Sequence, residues 1–247
     1  MNSIDTQTEV LRQEYKYYIS YQESLALRSH LKNHMNLDKH ANEFSKAYTI
    51  KSLYFDDVHQ SDFTEKVDGL YSREKYRVRM YEDNVNLFKF ESKKRTEVAI
   101  KKTSENIDLD TVRSLINGDY NHLLKNDSSF LKRAYCKLRG SGYKPRVIVE
   151  YDREAYCLPY NNIRVTLDLN LRTYNSSVDL LYSNSASTPV FDDNSQILEI
   201  KFTGFMPDHL KLILSKFTST RNAISKFVMC QKQIHQDPWS DTISKPF

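Results

Sequence analysis

Five stretches of this chain alternate charged with other, mostly apolar residues one for one, and a period of two belongs to β-strands. Glu14 and Lys16 share one face of a strand whose other face carries Tyr15 and Tyr17. Lys75, Arg77 and Arg79 stand opposite Tyr76, Val78 and Met80. Lys89, Glu91 and Lys93 stand opposite Phe88 and Phe90. Arg164 and Asp168 alternate with Val165 and Leu167, and Glu199 and Lys201 with Leu198 and Ile200.

A sheet with one solvated face accounts for any one of these strands. Such a face normally mixes small polar residues with charges of both signs. Here Arg and Lys recur at alternate positions, each set with a carboxylate nearby. A closed barrel whose apolar outer wall is covered by helices would turn these charges inward. An interior of that kind needs water and a counter-charge, because unpaired buried cations are very costly. A phosphate chain is the natural counter-charge, and the carboxylates would hold a divalent metal bridging its oxygens.

The rest of the chain reads as helices set among such strands. Strands are expected at Leu11–Ser20, Tyr48–Asp56, Arg73–Tyr81, Val85–Lys93, Glu97–Thr103, Pro145–Cys157, Ile163–Leu171 and Gln196–Phe202. Helices are expected at Tyr21–Asn33 with Ser20 as N-cap, at Ser61–Val67, Asp108–Asn117 and Ser128–Arg139, and at Pro207–Phe217 and Ala223–Gln233. The polar stretch Asn175–Asn194 reads as an excursion. The fold class is α+β, with antiparallel strands dominating the middle. One domain spans residues 1–247, with a core of about 9–233.

Composition narrows the chemistry. The chain has five glycines among 247 residues, about 2% against a usual ~7%. No Gly-rich phosphate loop exists, so side chains must grip any phosphates. The formal charge of +4 does not by itself mark a nucleic-acid binder, and no recognition module for specific nucleic acid is present. Cys136, Cys157 and Cys230 are widely spaced and suit free thiols. No secretory leader and no run of 18 apolar residues is found, so a soluble, cytoplasmic protein is expected.

The charged residues occur in a familiar order. Arg12-x-Glu14-x-Lys16-Tyr17, Tyr54-Phe55-Asp56, Arg77-x-Arg79-x-Tyr81 and Phe90-Glu91-x-Lys93 come first. Tyr151-x-Arg153, Arg164-Val165-x-x-Asp168, Leu198-Glu199-Ile200-Lys201 and Ser225-Lys226-Phe227 follow. Together they resemble the catalytic domain of the vacuolar transporter chaperone family, the polyphosphate polymerases. That domain is one of the triphosphate tunnel metalloenzymes, alongside the CYTH hydrolases.

The resemblance implies a closed antiparallel β-barrel, a tunnel whose basic interior binds ATP and polyphosphate. It implies transfer of the γ-phosphoryl group of ATP to a growing polyphosphate chain, with Mn²⁺ or Mg²⁺. It places Lys16, Arg77, Arg79, Lys93, Arg153, Arg164 and Lys226 on phosphates, and Glu199 on the metal. Glu14 is a second candidate metal ligand, or a partner that orients Lys16 or an arginine. Lys101 is preferred over Lys102 as a further phosphate contact, and Lys89 and Lys201 share faces with the main candidates. Alternation alone gives Arg153 the face of Val147, Val149 and Tyr151; only the resemblance turns it inward.

Two other functions stay open. Hydrolytic relatives carry Glu-x-Glu-x-Lys on the first strand; here Arg12 replaces the first glutamate, which resembles the polymerase branch. A non-catalytic polyphosphate-binding accessory domain would keep the cations and lose the metal carboxylate, yet Glu199 is present. From these 247 residues, neither the extra N-terminal regulatory domain nor the transmembrane helices of vacuolar members are expected. His30 and His34 lie four apart on a helix without a third ligand, which suits a solvated surface rather than zinc. Asp56 and Asp57 are read as caps for the helix that follows.

Overall fold

Ser20 decides where the first strand stops. Its hydroxyl accepts from Glu23 N, and the Glu23 carboxylate accepts from Ser20 N at 2.7 Å. This capping box ends β1 (Arg12–Ile19) and starts α1 (Tyr21–His34). The computed structural model describes residues 12–70, 72–97, 100–174, 178–181, 186–218 and 220–236. Leu11, Val98, the side chain of Arg12 and parts of the 175–194 excursion lie outside the described residues.

The order continues through β2 (Asn36–Leu37), β3 (Tyr48–Asp56), α2 (Ser61–Val67), β4 (Arg73–Tyr81), β5 (Phe88–Arg95) and β6 (Ile100–Ile107). Then come α3 (Leu109–Ile116), α4 (Ser129–Gly140), β7 (Lys144–Leu158) and β8 (Ile163–Thr173). The chain closes with β9 (Thr188–Pro189), β10 (Gln196–Thr203), α5 (Asp208–Ser215) and α6 (Lys226–Gln236). Short 3-10 turns occupy Asn121–Lys125 and Tyr160–Asn162. Among the described residues no helix is long and apolar enough to cross a membrane.

These elements form two compact units. The first holds residues 12–48, 153–169 and 193–224. Its strands run β1, β10, β8 and the end of β7, with β2 paired to β7 through Asn36 and Leu37. Register sets Leu198 opposite Leu167 and Ile200 opposite Val165. That apolar face packs with Leu27 and Leu31 of α1 and with Leu210 and Leu214 of α5.

The second unit holds residues 49–152, 170–192 and 225–236. Here β7, β3, β4, β5 and β6 lie in that order, and the ladders from β3 to β6 are antiparallel. Leu53, Phe55, Tyr76, Val78, Met80, Phe88 and Phe90 form its apolar face. Val112 and Leu115 of α3 and Phe130, Leu131, Ala134 and Leu138 of α4 cover that face. Phe90 sits at the centre, with ring centroids 5.7 Å from Phe130, 6.0 Å from Tyr76 and 6.4 Å from Phe55.

The fold class is α+β, as read; among the described residues no ladder joins the terminal strands, so a closed barrel is not shown. The strand order has two ends, β1 and β6. Closure needs a ladder joining the terminal strands. β6 instead carries exposed Lys101 and Lys102, side chains that guard an edge against pairing.

Several boundaries also move, three of them for reasons visible in local contacts. β5 starts at Phe88 rather than Val85, because Asn84 Oδ1 accepts from Asn86 N at 2.9 Å and prolongs the turn. β6 continues to Ile107 because Phe88 and Phe90 pair with Ile107 and Glu105. α6 starts at Lys226 rather than Ala223, with Ser225 Oγ accepting from Val228 N at its head. Asp56 and Asp57 do cap α2: they accept from Asp62 N, Phe63 N and Ser61 N at 2.9–3.1 Å.

Phe90→Ala removes the ring that joins the β4–β5 pair to α4. It should cost about 3–5 kcal/mol, read as a lowered urea midpoint. A loss below about 1 kcal/mol would show that the second unit does not depend on this cluster.

Candidate phosphate and metal site

The strand face opposite the helices carries the alternating charges, and three of its carboxylates are not solvated. Glu91 is 2%, Glu199 3% and Asp168 1% exposed. A solvent face would leave such carboxylates wet. Buried carboxylates need partners, and here the partners are the cations picked out by the two-residue period.

In the first unit, register sets Glu14 opposite Lys201 and Lys16 opposite Glu199. β8 continues these rows with Arg164 beside Lys201 and Thr166 beside Glu199. Lys16 Nζ lies 3.1 Å from Glu14 Oε1 and 3.4 Å from Glu199 Oε2. Lys201 Nζ also pairs with Glu199. Burial works to lower the pKa of Lys16, but Glu199 and Glu14 outweigh it and hold the ammonium above its usual range. For Lys201 burial prevails over Glu199 and Glu14, and its pKa falls below the usual value.

Arg153 joins this face through Asp168. Its Nε and Nη2 donate to Asp168 Oδ1 and Oδ2 at 2.6 and 2.8 Å, a bidentate fork. Arg164 is held by Asp38 Oδ2 at 2.6 Å and by Tyr48 Oη at 2.9 Å. Neither Asp38 nor Tyr48 was legible as a partner, since both lie far from Arg164 in sequence.

In the second unit one carboxylate serves several cations. Arg77 Nε and Nη2 approach Glu91 Oε2 at 2.7 and 2.6 Å, and Arg79 Nε lies 3.7 Å from the same oxygen. Lys102 Nζ is 2.5 Å from Glu91 Oε1. Burial pushes the Glu91 pKa up, but Arg77, Arg79 and Lys102 draw it down to about 2. Arg77 Nη1 also donates to Tyr54 Oη at 2.6 Å. Burial raises the Tyr54 pKa, and Arg77, Arg79 and Lys226 more than offset it, leaving the phenol below its usual value.

The remaining candidates fall around these two clusters. Lys89 stands opposite Arg79 and is half-buried. Lys93 is exposed, between Lys75 and Lys102 in the register. Lys226 Nζ sits 4.8 Å from the Tyr151 ring centroid. Lys101 pairs with Lys94 on the opposite face, so Lys102 rather than Lys101 reaches Glu91. The alternation of β6 was right, but only its register with β5 says which parity meets Glu91.

Lys75 was seen on this face but not singled out. Its Nζ is buried, has no hydrogen-bond partner among the described residues, and lies 4.0 Å from the Phe227 ring centroid. Phe227 in turn packs on Tyr54 at 5.2 Å.

Among the described residues no group of three or more His, Cys, Asp or Glu is placed to hold a metal. Glu14 and Glu199 offer two hard oxygen donors around Lys16. This set does not fit a closed zinc cage. It fits an ion of the Mg²⁺ kind, which keeps several waters and takes one or two carboxylates plus phosphate oxygens.

A family model described as the VTC domain matches residues 11–235. No curated protein matches the chain. Among solved structures, a candidate adenylate cyclase from Bacillus halodurans is similar at TM-score 0.50 and 15% identity, over 87% of this chain and 95% of its own. A Hippeastrum protein, a candidate adenylyl cyclase described as having a dominant triphosphatase activity, is similar at TM-score 0.53 and 15% identity. That match covers 90% of this chain and 96% of its own. At this identity the likeness speaks for the fold.

Glu91→Gln tests whether the second cluster is an anion site. Removing one partner of a buried ion pair should cost about 3–5 kcal/mol, read as a lower thermal midpoint in anion-free buffer. Tripolyphosphate should then raise the midpoint more in the variant than in the wild type. Equal shifts in both would remove Glu91 from the role of counter-ion to the phosphate-facing cations. For the wild type the sign follows from the lowered pKa. The stability that ionised Glu91 contributes is complete above about pH 4.5 and is lost as pH falls toward about 2.

Proposed function

The chain belongs to the VTC-domain family, and from that premise we propose that it is a metal-dependent phosphotransferase that extends polyphosphate from ATP. One observation carries this reading. Among the described residues of β4, β5 and β6, Glu91 is the one acidic residue on the face of Lys75, Arg77, Arg79, Lys89, Lys93 and Lys102, with Asp56 and Asp62 acting on Lys75 from β3 and α2. A face so rich in cations, and partly buried, calls for a multiply charged anion. A phosphate chain supplies one negative oxygen after another along its length.

The arginines are fixed before any ligand arrives. Tyr54 and Glu91 orient Arg77, and Asp168 orients Arg153. Guanidinium groups held in this way stabilise charge on a transferring phosphoryl group without first reorganising. Glu199 and Glu14 would hold the Mn²⁺ or Mg²⁺, in place of contacts they now make with Lys16 and Lys201. The ion would neutralise charge on phosphate oxygens and help to orient them.

Transfer to polyphosphate is favoured over transfer to water by the state of these carboxylates. In the transfer, a terminal oxygen of the chain bonds to the γ-phosphorus, the bond to the β–γ bridging oxygen breaks, and ADP leaves. The attacking oxygen is already anionic, so no base is required. Water would need a base, and Glu14 and Glu199 are both engaged by lysines. Triphosphate hydrolysis is the second reading, supported by the activity described for the Hippeastrum neighbour.

Purified chain with ATP and Mn²⁺ should yield a polyphosphate ladder on a gel and internal-phosphate signal by ³¹P NMR. Release of orthophosphate alone would establish the hydrolytic reading instead. Glu199→Gln should keep polyphosphate binding and lose turnover by roughly 100-fold or more, the upper end of what even an outer partner of a metal ligand costs. Unchanged turnover would take Glu199 out of the metal role.

A further inference from the structure

The cations of the β4–β5–β6 face form rungs. Arg79 stands opposite Lys89, Arg77 opposite Glu91, and Lys75 opposite Lys93, with Lys102 beyond it. One rung further out, Arg73 stands opposite Arg95. Same-face rungs are two residues apart, or roughly 6.8 Å. The three inner rungs therefore span roughly 14 Å, which already exceeds the reach of three linked phosphates. The Arg73–Arg95 rung lies beyond what a triphosphate can occupy.

That outer rung is self-repelling. Like charges directly opposite in a β-ladder destabilise it. Burial and then Arg95 lower the pKa of Arg73, with Glu65 of α2 opposing them. Arg73 Nη1 is anchored by donation to the Leu70 carbonyl. Arg95 is exposed, and among the described residues no carboxylate pairs with it. The nearest acidic residues along the chain are Glu74 and Glu97. Glu74 is on the other face, where it accepts from Ser92 Oγ, and Glu97 lies in the turn after β5. The neighbouring row on that other face runs Glu74, Lys94 and Lys101, two cations to one carboxylate. Two arginine forks set face to face at the end of a cationic row are suited to a continuing line of phosphates.

We propose that Arg73 and Arg95 form a chain-length subsite, which holds phosphates of inorganic polyphosphate beyond those a triphosphate presents. This rests on the polyphosphate reading above and adds the feature that separates a long chain from a short one. Nucleoside triphosphate would engage the inner rungs only, whereas a long chain would also engage the outer one.

The experiment compares tripolyphosphate with long-chain polyphosphate by isothermal titration calorimetry on the whole chain. The variants are Arg73→Gln with Arg95→Gln, and Arg95→Gln alone as an exposed substitution that leaves the fold intact. Long-chain affinity should fall about tenfold or more, as loss of charged phosphate contacts predicts. Tripolyphosphate affinity should stay within about twofold. Lysine at both positions should restore only part of the loss, because it supplies charge without the fork. Equal losses for both ligands, or none, would overturn the subsite. So would loss of duplex DNA binding with polyphosphate binding unchanged, which would mark a general polyanion surface. A wild-type chain that binds neither phosphate ligand would instead overturn the functional reading, and the subsite with it.

Discussion

Burying charge on a strand face is the constraint from which the rest of this structure follows. Glu91, Asp168 and Glu199 are almost inaccessible to solvent, and each is matched by at least one Arg or Lys. An isolated buried charge costs several kcal/mol even after relaxation, so these groups are held only because the opposite strand or the next one supplies a partner. The antiparallel register performs this matching row by row, as with Lys16 against Glu199 and Arg77 against Glu91. A slip of one residue would send each charge into the aromatic and aliphatic core on the other side. The same register that packs Phe90 against Phe130 thus aims Glu91 at Arg77.

Much of the fold was legible because its signals are local. The aromatic and β-branched content of β3 and the alternation in β4 gave both strands to the residue, and Ser20 announced the first helix through a cap it does make. The order of the strands was not legible. Whether the terminal strands meet is a matter of distant pairing, and nothing in a two-residue period encodes it. Short pairings such as β2 with β7 were missed for the same reason, since two residues carry no periodic signal.

The site divides along the same line. Which residues share a face could be read from parity, and Lys16, Arg77, Arg79 and Glu199 follow from it directly. Parity cannot say which of two alternating sets on a neighbouring strand meets that face. This is why Lys102 takes the place beside Glu91 for which Lys101 was preferred. Nor can it find partners that arrive from elsewhere in the chain. Asp38 and Tyr48 on Arg164, and Phe227 on Lys75, depend on packing of elements far apart in sequence. Arg153 is the instructive case: it keeps the parity of Val147, Val149 and Tyr151, and it is Ile148 and Tyr156, of the other parity, that enter the helix-covered cores, so Arg153 meets Asp168 without leaving its row.

The scarcity of glycine explains why the cations come with carboxylates at all. A backbone cradle holds phosphate with N–H groups that carry only partial charge, so it can stand empty at little cost. A grip made of full side-chain charges has no such rest state. Left alone, Arg77, Arg79 and Lys102 would repel one another in a partly buried setting, and the cluster would open. Glu91 keeps them gathered, and the same three cations draw its pKa down against the effect of burial. Because a single carboxylate carries one charge, it cannot neutralise the row it organises. The residual positive charge is what a polyanion would find, already focused and already oriented. On this view the glutamates and aspartates of the charged faces help to preorganise the cations for anion binding, and a substitution that removes them trades stability of the empty protein for appetite toward phosphate.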